Sequence, residues 1–249
     1  MGINYANDPR NKLEGCINDA KNIESVLRTQ FGFTHVVSLI EQAATRTAIL
    51  DAIAAEVSAT NTQRVNELWL SFSGHGSQIR DTGRDEDDGQ DETVVPYDGG
   101  AITDDTIHAL LARVPATTRV VVVFDSCHSG TMADLKYTYV AGAKTAAEST
   151  KARQLPAFVV QISGCQDNQL SSDAFINKQF TGAMTSALLA TLKELSYDVT
   201  FFKLLSGMNK FLAARGFTQK PQITSSRPIT CTSVFCTTFT QQPMLTSVA

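Results

Sequence analysis

Short apolar runs alternate along this chain with stretches of helical periodicity. Four runs of five or six residues are β-branched or aromatic and nearly free of charge, so they predict buried strands at 36–40, 68–72, 120–124 and 157–162. Amphipathic spacing predicts helices at 18–29, 45–57, 103–111, 183–195 and 202–215. Because strands and helices alternate, we predict an α/β fold, a three-layer sandwich in which helices cover both faces of a mainly parallel central sheet.

Three residues mark the ends of these helices. Thr45 and Thr103 stand where an N-cap hydroxyl would accept a hydrogen bond from the first turn. Gly216 follows the last predicted helix, a position where glycine commonly ends the helical conformation.

The composition narrows the class of protein. With 249 residues, 43% of them hydrophobic, 15 Gly and 7 Pro, the chain is globular rather than disordered or collagen-like. It has no apolar run of the ~18–20 residues that span a bilayer, and its net charge of −4 gives no basic surplus. We therefore expect neither membrane nor nucleic acid as a partner. Five scattered cysteines without a CxxC pair favour reduced thiols over a disulfide framework, hence a cytoplasmic protein.

The segment 136–156 interrupts the pattern. It is poor in large apolar residues and rich in basic ones, so we interpret it as an exposed loop. The loop would join two parts of one sheet, 1–135 and 157–249, within a single domain. The Thr-rich end of the chain, 230–249, could add an edge strand.

Negative charge is concentrated between Arg80 and Asp105, where ten acidic residues stand against two basic ones. A multivalent cation would relieve the repulsion among them. A solvated acidic loop is the alternative, and it is the usual explanation of such a run.

Two predicted strands end in residues that carry chemistry. The strand 68–72 runs into Ser73-Gly74-His75-Gly76, and the strand 120–124 into Asp125-Ser126-Cys127-His128. In parallel sheets, ligands bind beyond the carboxyl ends of the strands. An imidazole near a thiol can generate the thiolate that attacks a carbonyl and can later protonate the leaving amine. We therefore predict His75 and Cys127 as a catalytic pair, 52 residues apart.

Two alternatives use His128. As the residue next to Cys127 it could be the base instead of His75, although neighbours in sequence usually point apart. Cys127, His128 and His75 could also bind zinc, but they lack the paired ligand spacing of zinc sites.

The order and spacing of nine segments resemble those of one known family. The segments are 13–20, 73–78, 85–91, 95–98, 103–105, 125–131, 163–169, 182–185 and 220–223. The chain is similar in them to the metacaspases, the caspase-like cysteine peptidases of plants, fungi, protists and bacteria. It resembles the type I arrangement of a large and a small part, without a visible pro-region. The resemblance implies a caspase/haemoglobinase-like fold.

By position, the resemblance implies a His75–Cys127 dyad, with an oxyanion hole from the N–H groups of Gly76 and Cys127. Family members cleave after Arg or Lys, and the positions of their primary (S1) pocket fall on Cys16, Asp19, Ser73 and Asp125. Acidic residues suit a cationic side chain on physical grounds as well. Asp125 could instead cap the end of its strand.

Many metacaspases are activated by calcium, and the family's calcium positions fall on Asp91, Asp104, Asp105 and Asp134. Four carboxylates could supply much of the oxygen shell that Ca²⁺ prefers. Asp104 and Asp105 could alternatively act only as favourable charges at a helix start.

The resemblance also implies a monomeric zymogen that cleaves itself in the loop between its two parts. The basic residues there are Lys136, Lys144, Lys151 and Arg153. Two other functions stay open at this point. One is a catalytically silent caspase-like interaction module; the presence of both His75 and Cys127 argues against it, since a silent module need not retain them. The other is an Asp-specific caspase, which the acidic pocket disfavours.

Overall fold

The computed structural model describes residues 1–80, 89–127, 130, 132–143, 145–164, 173–176 and 179–236. Its helices are α1 (Cys16–Thr29), α2 (Arg46–Thr62), α3 (Asp104–Leu111), α4 (Ala183–Glu194) and α5 (Phe201–Ala213). Its strands are β1 (Glu67–Ser73), β2 (Gly76–Arg80), β3 (Gln90–Val94), β4 (Ile102–Thr103), β5 (Arg119–Asp125), β6 (Tyr137–Val140), β7 (Ala147–Glu148), β8 (Phe158–Ser163), β9 (Asp173–Ile176), β10 (Gln179–Gly182), β11 (Val199–Thr200), β12 (Gln222–Ser225) and β13 (Val234–Cys236). Within the described ranges, no helix is both long and apolar enough to cross a bilayer.

The main sheet has six strands in the order β1-β5-β8-β12-β6-β7. β1, β5 and β8 are parallel to one another, whereas β12 is antiparallel to β8 and to β6. The sheet is thus mixed, and its parallel half carries the two predicted catalytic segments. Smaller sheets are formed by β2, β3 and β4, by β9 and β10, and by β11 and β13.

Successive side chains of the sheet point to opposite faces and pack into two apolar cores, one on each face. On β5, Val121 and Val123 face the core that α1, α4 and α5 cover, while Val120 and Val122 face the core under α2 and α3. All four valines are at most 1% exposed. A strand buried on both faces needs such a continuous apolar run, and the predicted three-layer α/β sandwich is confirmed.

The predicted helices and their caps are found with small shifts at the ends. Thr45 accepts a hydrogen bond from Ala48 N–H at 3.2 Å, and Thr103 accepts one from Thr106 N–H at 3.2 Å. Gly216 adopts the left-handed conformation, with φ 77°, three residues after α5. Local sequence therefore determines where these helices begin and end.

The strand predicted at 36–40 is wrong. Residues 32–39 form no strand, and only Ile40 makes a single parallel bridge, to Gly2. Gly2 itself bridges to Ser73 on its other side, so the start of the chain lies between this segment and β1. Val37 is 46% exposed because the segment has no sheet to pack on.

The segment 136–156 is not a loop throughout. Tyr137–Val140 forms β6, which pairs along the outer edge of β12, and Tyr139 is buried. Aromatic and β-branched residues favour a strand here, whereas the basic residues around them suggested a loop. The described residues from 141 to 156 are mostly exposed. The division of the chain into two parts at this segment stays a prediction.

The C-terminal expectation is met in part. Val234–Cys236 pairs with β11 rather than with an edge of the main sheet. Residues 237–249 lie outside the described ranges.

Replacing Thr45 by Ala tests the N-cap of α2. The hydroxyl satisfies an N–H group that has no partner within the helix, so we expect the free energy of unfolding to fall by about 1 kcal/mol. Urea unfolding followed by circular dichroism measures the change. Thr62→Ala at the exposed end of the same helix is the control, with an expected change within about 0.5 kcal/mol. Equal losses in both variants would contradict the capping role.

Candidate active site

The in-register pairing of β1 with β5 brings the two predicted catalytic segments together. Ser73, the last residue of β1, pairs with Asp125, the last residue of β5. His75 and Cys127 therefore each lie two residues beyond the same level of the sheet. The Gly74 N–H donates to the Asp125 carbonyl at 3.3 Å, so the chain leaves both strands side by side. Both His75 and Cys127 are partly buried.

Gly76 lets the two loops touch. A side-chain carbon built at Gly76 would overlap the carbonyl oxygen of Cys127 and would lie 3.2 Å from the Ser126 side chain. Only a residue without a side chain allows this approach of the two main chains. Gly76 and Cys127, which are predicted to form the oxyanion hole, are thus neighbours in space.

A backbone carbonyl orients the His75 ring. His75 Nε2 lies 2.6 Å from the carbonyl oxygen of Asn11. Because a carbonyl oxygen can only accept, Nε2 carries the proton and Nδ1 is the basic atom of the neutral ring. A cavity of about 610 Å³ adjoins this imidazole and is lined in part by Asn7, Asn11 and Tyr97. The sequence pattern gave no signal for Asn11, since a main-chain contact does not depend on residue type.

The four predicted pocket residues lie around the ends of the same two strands. Asp19 is fully buried in α1 and accepts hydrogen bonds from the Ser73 hydroxyl at 2.7 Å and from the Gly182 N–H at 2.9 Å. Asp125 is 4% exposed, and Cys16 is buried at the start of α1. The structure therefore places two buried carboxylates and a hydroxyl at the strand ends that precede His75 and Cys127.

Gly182 and Thr185, at the start of α4, contact the two carboxylates of the predicted pocket. A side-chain carbon at Gly182 would overlap Asp125 Oδ2 and lie 2.8 Å from Asp19 Oδ2. The Thr185 N–H and hydroxyl each donate to Asp125 Oδ2 at 2.8 Å. In the sequence, Gly182 stands out as a glycine directly before an apolar helical stretch. Its contacts with Asp19 and Asp125 could not be predicted, because both residues are more than 50 positions away.

The predicted calcium ligands include a strongly perturbed acid. Asp104 is 2% exposed and accepts hydrogen bonds from the N–H groups of Glu92 and Asp105. Its burial, and next the negative charge of Asp134, raise the pKa of the Asp104 carboxyl to about 8. Asp91 on β3 is also buried. Ca²⁺ prefers carboxylate oxygens as ligands, and a bound ion would offset the repulsion between the Asp104 and Asp134 carboxylates.

A basic side chain already holds two of these carboxylates. The Arg153 guanidinium contacts Asp105 Oδ1 and lies 3.2 Å from Asp134 Oδ2. In the part of the chain that the structure describes, no three acidic, His or Cys side chains are grouped closely enough to share one metal ion. The donors thus have the right chemistry, but the arrangement shown is held by Arg153.

The remaining sequence-based candidates are the processing positions and His128, and they stay predictions. Lys136 lies 3.6 Å from Glu148, and Lys151 is exposed. Lys144, a predicted processing position, and His128, on which the competing base and the zinc alternative depend, lie outside the described residues.

Comparison with protein families gives a clear match. A family model described as the metacaspase, peptidase C14 domain matches residues 1–136. Metacaspase-1 of Meyerozyma guilliermondii is 33% identical to this chain, over 92% of the chain and 68% of the relative. Metacaspase-1A of Neurospora crassa is 32% identical, over 94% of the chain and 63% of the relative.

Two solved structures resemble this chain in fold. Protein GSU0716 from Geobacter sulfurreducens superposes with a TM-score of 0.66 at 30% identity, and 91% of this chain and 92% of that one are covered. Caspase-1 from Spodoptera frugiperda gives a TM-score of 0.56 at 15% identity, covering 90% and 81%, which shows a shared fold.

Replacing Gly182 by Ala tests the packing of the two buried carboxylates. The added methyl would overlap Asp125 Oδ2, so we expect a loss of about 1–3 kcal/mol of stability in urea unfolding. In a double-mutant cycle with Asp125→Ala, part of that loss should disappear because the overlapping atom is gone, leaving a coupling of about 1 kcal/mol or more. Strict additivity of the two substitutions would show that the predicted overlap does not exist.

Proposed function

The chain belongs to the metacaspase family of caspase-like cysteine peptidases, and from this premise we propose that it is a calcium-stimulated endopeptidase that cleaves after Arg or Lys. One observation carries the proposal. β1 and β5 end at the same level of the sheet, so His75 and Cys127 each follow a strand end at which the carboxylates of Asp19 and Asp125 are buried.

The proposed reaction begins with His75. Its Nδ1 takes the proton of the Cys127 thiol, and the thiolate attacks the carbonyl carbon of the substrate. The N–H groups of Gly76 and Cys127 would stabilise the negative oxygen of the tetrahedral intermediate. The imidazolium then protonates the leaving amine, and water hydrolyses the thioester with His75 as base. The Asn11 carbonyl, 2.6 Å from Nε2, keeps the ring oriented through both steps.

Specificity for a basic residue follows from the charge of the pocket. Asp19 and Asp125 are buried, and they accept hydrogen bonds from the Ser73 hydroxyl, from the Gly182 N–H and from the N–H and hydroxyl of Thr185. A guanidinium or ammonium group would pair with them through charge-assisted hydrogen bonds. An aspartate side chain would meet repulsion, which argues against an Asp-specific caspase.

Calcium is proposed as an activator outside the chemical steps. Asp91, Asp104, Asp105 and Asp134 would hold the ion, which would supply positive charge to all four carboxylates. Since Arg153 pairs with Asp105 and Asp134, the ion would have to replace its guanidinium. That exchange would release the segment around Arg153.

Self-processing and a monomeric state belong to the same proposal. The described part of 141–156 is mostly exposed and holds Lys151 and Arg153 as cleavage candidates, with Lys136 just before β6 and Lys144 also a candidate. β6 covers the outer edge of β12, which supports a monomer because that edge is not available for pairing with a second copy.

A panel of peptides ending in Arg, Lys or Asp before a fluorogenic amide tests this function. With millimolar Ca²⁺ we expect turnover of the Arg and Lys peptides only, and a chelator should abolish it. Cys127→Ala should lower the rate about 1,000-fold or more because the nucleophile is gone. Asp125→Asn should lower kcat/KM for Arg peptides about 10–100-fold, since one pocket charge is lost.

Asp51→Asn, at an exposed acid of α2, is the matched control for Asp125→Asn and should leave kcat/KM unchanged. Turnover of Asp peptides alone would contradict the pocket argument. Absence of Cys127-dependent turnover on every peptide, with or without Ca²⁺, would favour the silent interaction module.

Replacing Arg153 by Gln tests the competition at the acidic cluster. Without the guanidinium, Ca²⁺ no longer has to displace a cation, so we expect about tenfold tighter Ca²⁺ binding, or about 1.4 kcal/mol. Calorimetric titration in a Cys127→Ala background measures it without self-cleavage. Arg64→Gln makes the same charge change at an exposed position and should bind Ca²⁺ like the parent. Unchanged or weaker binding in Arg153→Gln would refute the competition.

A further inference from the structure

Tyr5 contacts His75 through both its ring and its hydroxyl. The centroids of the phenol and imidazole rings are 4.7 Å apart. The Tyr5 hydroxyl accepts a hydrogen bond from the His75 N–H at 3.0 Å and donates one to the Val95 carbonyl at 2.6 Å. Burial raises the pKa of this phenol far above its usual value, so the hydroxyl keeps the proton that it donates.

The hydroxyl replaces one hydrogen bond between two strands. Antiparallel residues that face each other in a hydrogen-bonded pair exchange two N–H···O=C bonds. Here the Val95 N–H donates directly to the His75 carbonyl at 3.0 Å. The return bond, from His75 N–H to the Val95 carbonyl, passes through the Tyr5 hydroxyl. The backbone of His75 is thus fixed by a side chain from a distant part of the sequence.

A buried carboxylate fixes the backbone of Tyr5. Glu41 accepts hydrogen bonds from the N–H groups of Asn4 at 2.5 Å, Tyr5 at 3.2 Å and Ala6 at 2.9 Å. Tyr5 has φ 54° and Glu41 has φ 48°, left-handed conformations that side chains disfavour and that persist where the surroundings impose them. The three hydrogen bonds to the Glu41 carboxylate hold the main chain in this conformation.

The segment that carries Tyr5 also carries Asn11, whose carbonyl holds His75 Nε2. The Leu13 N–H donates to the Asn4 carbonyl at 2.8 Å. This bond joins the two ends of the segment 4–13, which contains both Tyr5 and Asn11. The imidazole is therefore held at its face by Tyr5 and at its edge by Asn11. Both contacts come from the same short stretch of chain, which Glu41 anchors.

We propose that Tyr5 is a positioning residue for His75 and that Glu41 acts through it, by fixing the 4–6 backbone so that the imidazole presents Nδ1 to Cys127. The proposal rests on the peptidase function above. The phenol touches neither substrate nor the reacting atoms; its effect is on the orientation of the base.

Tyr5→Phe is the first test, because it keeps the ring and removes the hydroxyl. We expect kcat on Arg peptides to fall about 10–100-fold with KM within twofold, since only the transition state needs the oriented base. The pH dependence of Cys127 alkylation by iodoacetamide, followed by mass spectrometry of the Cys127 peptide, should move to higher pH because the thiolate loses imidazole support.

Tyr139→Phe is the matched control. Its hydroxyl is also buried and accepts a backbone N–H, that of Ile229 at 2.8 Å. We expect both variants to lose similar stability in urea, while only Tyr5→Phe changes kcat and the alkylation profile. A merely structural role of Tyr5 would make the two variants alike in every readout and would overturn the proposal.

Glu41→Gln is the second variant and leaves the phenol in place. It exchanges one accepting oxygen for an NH₂ group, so the 4–6 backbone loses an acceptor, and we expect the same changes with smaller amplitude. The pH dependence of Cys127 alkylation can be measured even in a protein that cleaves no peptide. If the parent protein cleaves no peptide, the proposed function fails; if Tyr5→Phe leaves the alkylation profile unmoved, the positioning role fails independently.

Discussion

The level at which two parallel strands end is the constraint on which this molecule depends. β1 and β5 pair residue for residue from Glu67–Arg119 to Ser73–Asp125, so the chain leaves both strands at the same height. The valines of β5 are buried on both faces, and a register slip would move every one of them to the opposite core. The packing of the interior therefore also fixes the level at which the segments of His75 and Cys127 leave the sheet.

Buried carboxylates recur around this edge, and each is stabilised by backbone N–H groups. Asp19 accepts from Gly182, Asp104 from Glu92 and Asp105, and Glu41 from three consecutive residues. Such bonds offset the free energy of desolvating a charge. Glu41 uses these bonds to shape the main chain, whereas Asp19 and Asp125 are the carboxylates that would pair with the basic side chain of the proposed substrate.

The sequence predicted the parts of the structure that depend on local pattern. The strands ending at Ser73 and Asp125 and the threonine N-caps were recognisable from apolar runs and single polar residues, and the motifs at the strand ends located the candidate site. Tyr5 and Asn11 were not recognisable, because their contacts with His75 are to or from main-chain atoms and span 64 or more residues. The segment 182–185 was recognisable, but the contact of Gly182 with Asp19, 163 residues away, was not. The segment 36–40 has strand-like composition, but the start of the chain takes the place beside β1.

The position of β6 determines what a break in the backbone could do. β6 precedes the segment 141–156, whose described residues are mostly exposed, yet it pairs with β12, which follows that segment. A nick after Lys151 or Arg153 would leave β6 on the first fragment and β12 on the second, while β5 and β8 also join the two. The fragments would stay interlaced through the hydrogen bonds of a shared sheet. Any gain of activity on nicking must then come from rearrangement of the freed ends, because the halves would have no route to separate without unfolding.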